Sequence, residues 1–128
     1  MATQQNDISQ LFEGMAEEKG TIDKIEVSLS QDVFGDKAQV KDRMVAEIYT
    51  IYSSSGEQKT IKEAHAVPQG MKWDGSSWVI VNKLQAQQSV QNLSSWFGKF
   101  YRIYRGMPVP KMDVRVAVNA KGFVGIRV

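Results

Sequence analysis

The sequence predicts an α+β fold in a single domain: a mainly antiparallel sheet of about seven strands, a short N-terminal helix, and one longer helix before a C-terminal hairpin. Three observations carry that expectation. Short runs of strand-type alternation are separated by turn residues, helical spacing stands out in two places, and no repeat or linker divides the 128 residues. A domain of this length buries roughly two-thirds of the surface its unfolded chain exposes, so it needs no staples. With 42% hydrophobic and 23% charged residues, the composition is that of a folded globule, not a disordered segment.

The first seven residues are read as a flexible segment and residues 8–128 as the domain. Asp7 followed by Gln10 has the form of a capping box, and Ile8, Leu11, Phe12 and Met15 recur at helical spacing. A helix is therefore predicted over 8–18, with Lys19 and Gly20 as its stop. Ile25, Val27 and Leu29 alternate with Lys24, Glu26 and Ser28, the pattern of a half-buried strand. The stretch "SQDVFGDKAQ" reads as a loop. The run "RMVAEIYTIY" is β-branched and aromatic, and "SSSGEQ" turns it back into "KTIKEAHAV", which makes a hairpin. A second hairpin is predicted in "MKWDGSSWVIVNKL", with Trp73 and Trp78 as neighbours across it. The polar stretch "QAQQSVQNL" is read as a connection into a helix that Gly106, Pro108 and Pro110 end.

That helix contains "SSWFGKFYRIYRG". At about 100° per residue, Leu93, Trp96, Phe97, Phe100, Ile103 and Tyr104 share one arc, with Tyr101 at its border. Ser95, Lys99, Arg102 and Arg105 occupy the rest. Most of the rings are thus expected inside, with Trp96 and Tyr101 the most reachable, while the cations form an outward ridge. In the last seventeen residues, a loop at Ala120, Lys121 and Gly122 pairs Val118 with Val124 and Val116 with Ile126 on one face. On the other face Ala117 meets Gly125 and Arg115 meets Arg127. Like charges placed opposite one another in a sheet are unfavourable by a few tenths up to roughly 1 kcal/mol, so an anion is expected close by. Asp113, an acidic side chain of the first half, or a partner's phosphate or carboxylate would each serve.

The chain has no cysteine, which excludes disulfides, thiolate metal sites and a cysteine nucleophile and points to the cytoplasm. The opening "MATQQNDISQ" lacks the features of a targeting signal, and no run approaches about 18 apolar residues, so no membrane partner is expected. One histidine, His65, is unaccompanied by any hydrolase, metalloprotease or phosphate-loop motif, and the carboxylates form no convincing pair. Neither enzymatic activity, a metal nor a cofactor is expected.

The net charge of +2 hides a division. Residues 1–70 hold 7 Lys and Arg against 12 Asp and Glu, whereas residues 71–128 hold 9 against 2. Such asymmetry points to an anionic partner. The leading expectation is a module for single-stranded DNA or RNA that uses Lys99, Arg102, Arg105, Lys111, Arg115, Lys121 and Arg127, with Trp96 and Tyr101 for stacking. The alternative is a structural or protein-interaction module that self-associates, or docks on a protein partner, through complementary acidic and basic halves. A small-molecule binder in the concave face of the sheet is compatible with the aromatic content, but no polar constellation recommends it.

Overall fold

The computed structural model describes residues 17–38, 43–54, 56–118 and 124–128. Its fold is α+β, with seven mostly antiparallel strands and three α-helices among the described residues. The middle strand of the main sheet is β1 (Glu18–Leu29), which pairs from Gly20 onward with β2 (Met44–Ser54). On its other edge, Glu18 to Thr21 pair with β6 (Asp113–Val118). β3 (Glu57–Ala66) lies beyond β2 and β7 (Val124–Ile126) beyond β6, giving the order β3-β2-β1-β6-β7.

The register of β1 against β2 shifts between Ile22 and Lys24, leaving Asp23 as an extra residue. Residues three apart on a regular strand face opposite ways, but this bulge lets Ile22 and Ile25 both enter the core. Bulges also bend a strand, and here the sheet curves until it is nearly a barrel. At the seam, the Ile126 N–H on β7 donates to Oε2 of Glu63 on β3 at 2.8 Å. A Cβ at Gly125 would lie 3.1 Å from Glu63 Oε1, so a side chain there would crowd the carboxylate at this seam.

The structure corrects the reading of the first elements. Glu18 already belongs to β1, and residues 8–16 of the predicted helix lie outside the described residues. Gly20 is a buried strand residue and not a helix stop: a Cβ on it would meet Val116 Cγ2 at 2.8 Å and the Ile51 carbonyl at 3.2 Å. The expected loop after Leu29 contains a helical turn, α1 (Ser30–Phe34), followed by a 3-10 turn (Gly35–Lys37).

The β2–β3 hairpin forms as predicted, with Ala46, Ile48 and Thr50 buried and Glu47, Tyr49 and Ile51 on the other face. β4 (Met71–Trp73) and β5 (Trp78–Ile80) form a separate two-stranded ribbon in which Trp73 pairs with Trp78 as expected, ring centroids 5.1 Å apart. In its turn, Asp74 accepts backbone hydrogen bonds from Ser76 and Ser77, which hold its carboxyl down at about 2. The stretch read as a polar connection is instead a helix, α2 (Lys83–Gln91), capped by the Asn82 side chain. Ala86 is its buried residue, so no apolar stripe announced it.

α3 (Trp96–Tyr104) opens on Ser95, whose hydroxyl accepts from the Gly98 N–H at 3.0 Å and donates to the Asn92 carbonyl at 2.9 Å. It ends one residue before the expected Gly106, at Arg105, which takes the left-handed conformation with φ 59° and donates its N–H to the Tyr101 carbonyl. Phe97 and Phe100 project from α3 into Ile22, Ile25, Ala46, Ile48, Val114 and Ile126 of the sheet. The helix therefore fills the concave side of the curved sheet, and burial of its two rings is the main contact between layers.

A Cβ at Gly98 would lie 1.9 Å from the Asn92 carbonyl oxygen, a backbone atom that cannot swing aside. Gly98→Ala is expected to destabilise the fold by ~2–4 kcal/mol, read as a lower urea midpoint. Gly106→Ala, whose Cβ would meet nothing within 4 Å, is expected to leave the midpoint within ~0.5 kcal/mol of the parent.

Candidate nucleic-acid interface

α3 separates rings from cations largely as its spacing predicts. Phe97 and Phe100 are buried and Tyr104 half-buried, whereas Lys99, Arg102 and Arg105 are exposed and have no ion-pair partner among the described residues. Two apolar side chains depart from the predicted arc. Ile103 is exposed, and Leu93 precedes the helix and is exposed as well. The two rings expected to be reachable also differ. Tyr101 is exposed, but Trp96 is half-buried, stacked on His65 at 4.1 Å and on Phe100 at 5.2 Å, with its edge contact to Phe97 at 5.0 Å. Trp96 is thereby engaged by rings of its own chain. Trp78 is held in the same cluster, packing on Phe97 and donating its indole N–H to the Pro108 carbonyl at 2.8 Å.

The β6–β7 register matches the expected one, with Val116 opposite Ile126, Ala117 opposite Gly125 and Val118 opposite Val124. The loop at 120–122 and Lys121 lie outside the described residues. Arg115 and Arg127 do meet, since the Arg127 N–H donates to the Arg115 carbonyl at 2.8 Å. The return bond of that pair is replaced by a side chain. Tyr104 of α3 accepts from the Arg115 N–H at 3.2 Å and donates its hydroxyl proton to the Arg127 carbonyl at 2.9 Å. Its phenol thus bridges the opened ladder and pins the last turn of α3, with Arg105 next in the chain, against the arginine pair. Burial is the main cause that raises the Tyr104 pKa, opposed by the hydrogen bond from Arg115.

The anion that the arginine pair requires comes from within the chain, and it is Glu17. Its Oε2 takes Nη1 of Arg115 at 3.2 Å and its Oε1 takes Nη1 of Arg127. Asp113, the other internal candidate, instead accepts from the Thr21 hydroxyl at 3.3 Å. Lys19 stands opposite Arg115 across β1 and β6, so three cations form one row over three strands. Lys111 is exposed, with φ 70° and its N–H donated to the Ile22 carbonyl at 2.7 Å.

Two arrangements were missed from the sequence. On the outer face, Lys24, Tyr49 and Lys62 are cross-strand neighbours on β1, β2 and β3, with the Lys24 ammonium 4.5 Å from the Tyr49 ring centroid. Counting outward from the turn at Gly56 pairs Tyr49 with Lys62, so half of this row was within reach. Both lysines are matched by neighbouring carboxylates, Lys24 by Glu26 at 3.0 Å and Lys62 by Glu47 at 3.1 Å. At the barrel seam, His65 Nε2 lies 3.1 Å from Glu63 Oε1 beside Trp96. A cavity of about 550 Å³ opens there, lined by Glu63, His65, Trp96, Ala117 and Gly125 among others. Nothing local in the sequence signals a contact between residues so far apart.

Among the described residues, no three His, Asp or Glu side chains gather as a metal site needs, and no helix is long and apolar enough to cross a membrane. Protein-family models, curated proteins and solved structures all give no match to this chain.

Because folding raises the Tyr104 pKa above its ordinary value near 10, the native state holds that proton more tightly than the unfolded chain. The resulting stability is fully present below pH 10 and is lost as pH rises through the folded value. Urea unfolding of wild type and Tyr104→Phe, compared between pH 9 and 11, is expected to show a steeper alkaline loss in the wild type. At pH 8 the variant is expected to be less stable by ~1 kcal/mol, since the hydroxyl bridge is gone.

Proposed function

We propose that the chain is a non-enzymatic module that binds single-stranded DNA or RNA through the basic surface of its second half. The observation that carries this reading is the unmatched charge of α3. Lys99, Arg102 and Arg105 face solvent without an acidic partner among the described residues, whereas lysines of the first half such as Lys24 and Lys62 are neutralised by neighbours. A nucleic-acid backbone is the polyanion that such a ridge suits, and exchange of its counterions for Lys and Arg supplies affinity. Lys111, Arg115 and Arg127 extend the basic surface, Lys121 belongs to the same reading from the sequence alone, and Tyr101 is the exposed ring that could stack on a base. Trp96 contributes to this reading by holding α3 in place, not by offering a face.

The architecture lends support by analogy. A five-stranded, partly open antiparallel barrel is also the form of OB folds, which bind oligonucleotides and oligosaccharides on a sheet face and its adjacent loops. Architecture alone assigns no activity. The second reading, assembly through complementary halves, is favoured by the contact of acidic Glu17 with Arg115 and Arg127 of the basic half. Val79, Ile80, Val81 and Leu84, the last three 60%, 63% and 64% exposed, would give such an assembly an apolar contact.

Fluorescence anisotropy of labelled single-stranded DNA, duplex DNA and RNA at two salt concentrations decides between them. Wild type is expected to bind a single strand with steep salt dependence, and Arg102→Glu with Arg105→Glu to abolish binding. A milder Arg102→Gln with Arg105→Gln is expected to flatten the log–log salt slope by ~1.4, about 0.7 for each phosphate that the variant no longer neutralises. Absence of binding at low salt to all three probes, with a mass that grows with protein concentration, would establish the second reading instead.

A further inference from the structure

We infer that Lys19, Arg115 and Arg127 form a phosphate-binding site and that the Glu17 carboxylate occupies it in the free chain. The inference deepens the nucleic-acid reading and rests on it only for the source of the phosphate. Its geometry is that of a row. Lys19 pairs with Arg115 across β1 and β6, Arg127 donates its backbone N–H to Arg115, and all three side chains are exposed. A cavity of about 570 Å³ lined by Lys19, Tyr104, Asp113 and Arg115 opens beside it.

Among the described residues the row is under-neutralised. Glu17 brings one negative charge to three cations, and Asp113, one rung away on β6, is hydrogen-bonded to Thr21. Glu17 also makes limited use of the donors offered. Each guanidinium meets it through Nη1, although a guanidinium carries five N–H donors in a fixed fork. A phosphate has more acceptor oxygens and up to twice the charge, and it draws shorter, stronger hydrogen bonds from such forks.

The carboxylate is also displaceable. The side chains of Arg115, Arg127 and Glu17 are 66%, 55% and 28% exposed, and exposed ion pairs of this kind contribute little and are screened by salt. The backbones of the two arginines are held together. The Tyr104 hydroxyl ties the backbone N–H of Arg115 to the carbonyl of Arg127, so both side chains start from fixed neighbouring positions when the anion between them changes. Opposed like charges in a sheet then favour replacement of Glu17 by a stronger anion over its simple departure.

Inorganic phosphate is the probe, titrated in low-salt buffer into wild type, Glu17→Gln and Glu17→Gln with Arg127→Gln, and followed by the Nε–Hε NMR signals of the arginines. Glu17→Gln is expected to bind phosphate about tenfold more tightly than wild type, with shifts at Arg115 and Arg127, and the added Arg127→Gln to erase the gain. Equal phosphate affinity in wild type and Glu17→Gln, or no shift at either arginine, would overturn the site and leave an intramolecular ion pair only. The same three proteins, titrated with an unlabelled single-stranded oligonucleotide, separate the two readings. A gain in Glu17→Gln for both probes assigns the site to a nucleic-acid backbone. A gain for phosphate alone keeps the site, assigns it to a free phosphate or phosphate monoester, and removes its link to the nucleic-acid reading.

Discussion

The structure depends on one strand serving two neighbours. β1 lends one edge to β2 along nearly its whole length and the other edge to β6 over its first four residues. A regular strand could not also place Ile22 and Ile25 in the same core, and the extra residue at Asp23 resolves that conflict by bending the strand as it restores the inward face. Curvature generated there carries β3 and β7 toward one another. The carboxylate of Glu63 then supplies an acceptor to the edge amide of Ile126, which a flat sheet would leave to solvent or to another chain. Phe97 and Phe100 fit the concavity that results.

Charge is distributed by the same architecture. On the outer face of β1, β2 and β3, each lysine beside Tyr49 has a carboxylate within reach, so that surface is close to self-neutral. The opposite end of the sheet differs, because β6 and β7 bring Arg115 and Arg127 together where one carboxylate answers both. α3 and its C-cap Arg105 add three more cations with no ion-pair partner among the described residues. Among the described residues, segregation along the sequence therefore persists in part as segregation in space, and it is softened where Glu17, just before β1, reaches the arginines.

Local patterns were legible in the sequence and long-range ones were not. The valines of β6 and β7 set the register that places Arg115 against Arg127, and the Trp73–Trp78 pair followed from the turn between them. The need for an anion at the arginines was legible, but the identity of Glu17 was not, because it lies 98 residues from Arg115 and inside a stretch that reads as helix. Gly20 resembled a helix stop since a glycine after lysine is ambiguous until its neighbours in space are known. α2 escaped notice because a helix with one buried residue has no periodicity to display. Trp96 stood at the edge of an arc on the helical wheel, and only the position of β3 reveals that His65 covers it.

The three tryptophans are all held in one aromatic cluster, linked through Phe97 and the Trp73–Trp78 pair, with His65 stacked on Trp96. Their emission is consequently an internal gauge. A shift of α3 against the barrel seam would disturb the stacking around Trp96 and Trp78, so intrinsic fluorescence in this protein reports on how helix and sheet are seated as well as on any ligand that meets the half-buried indoles.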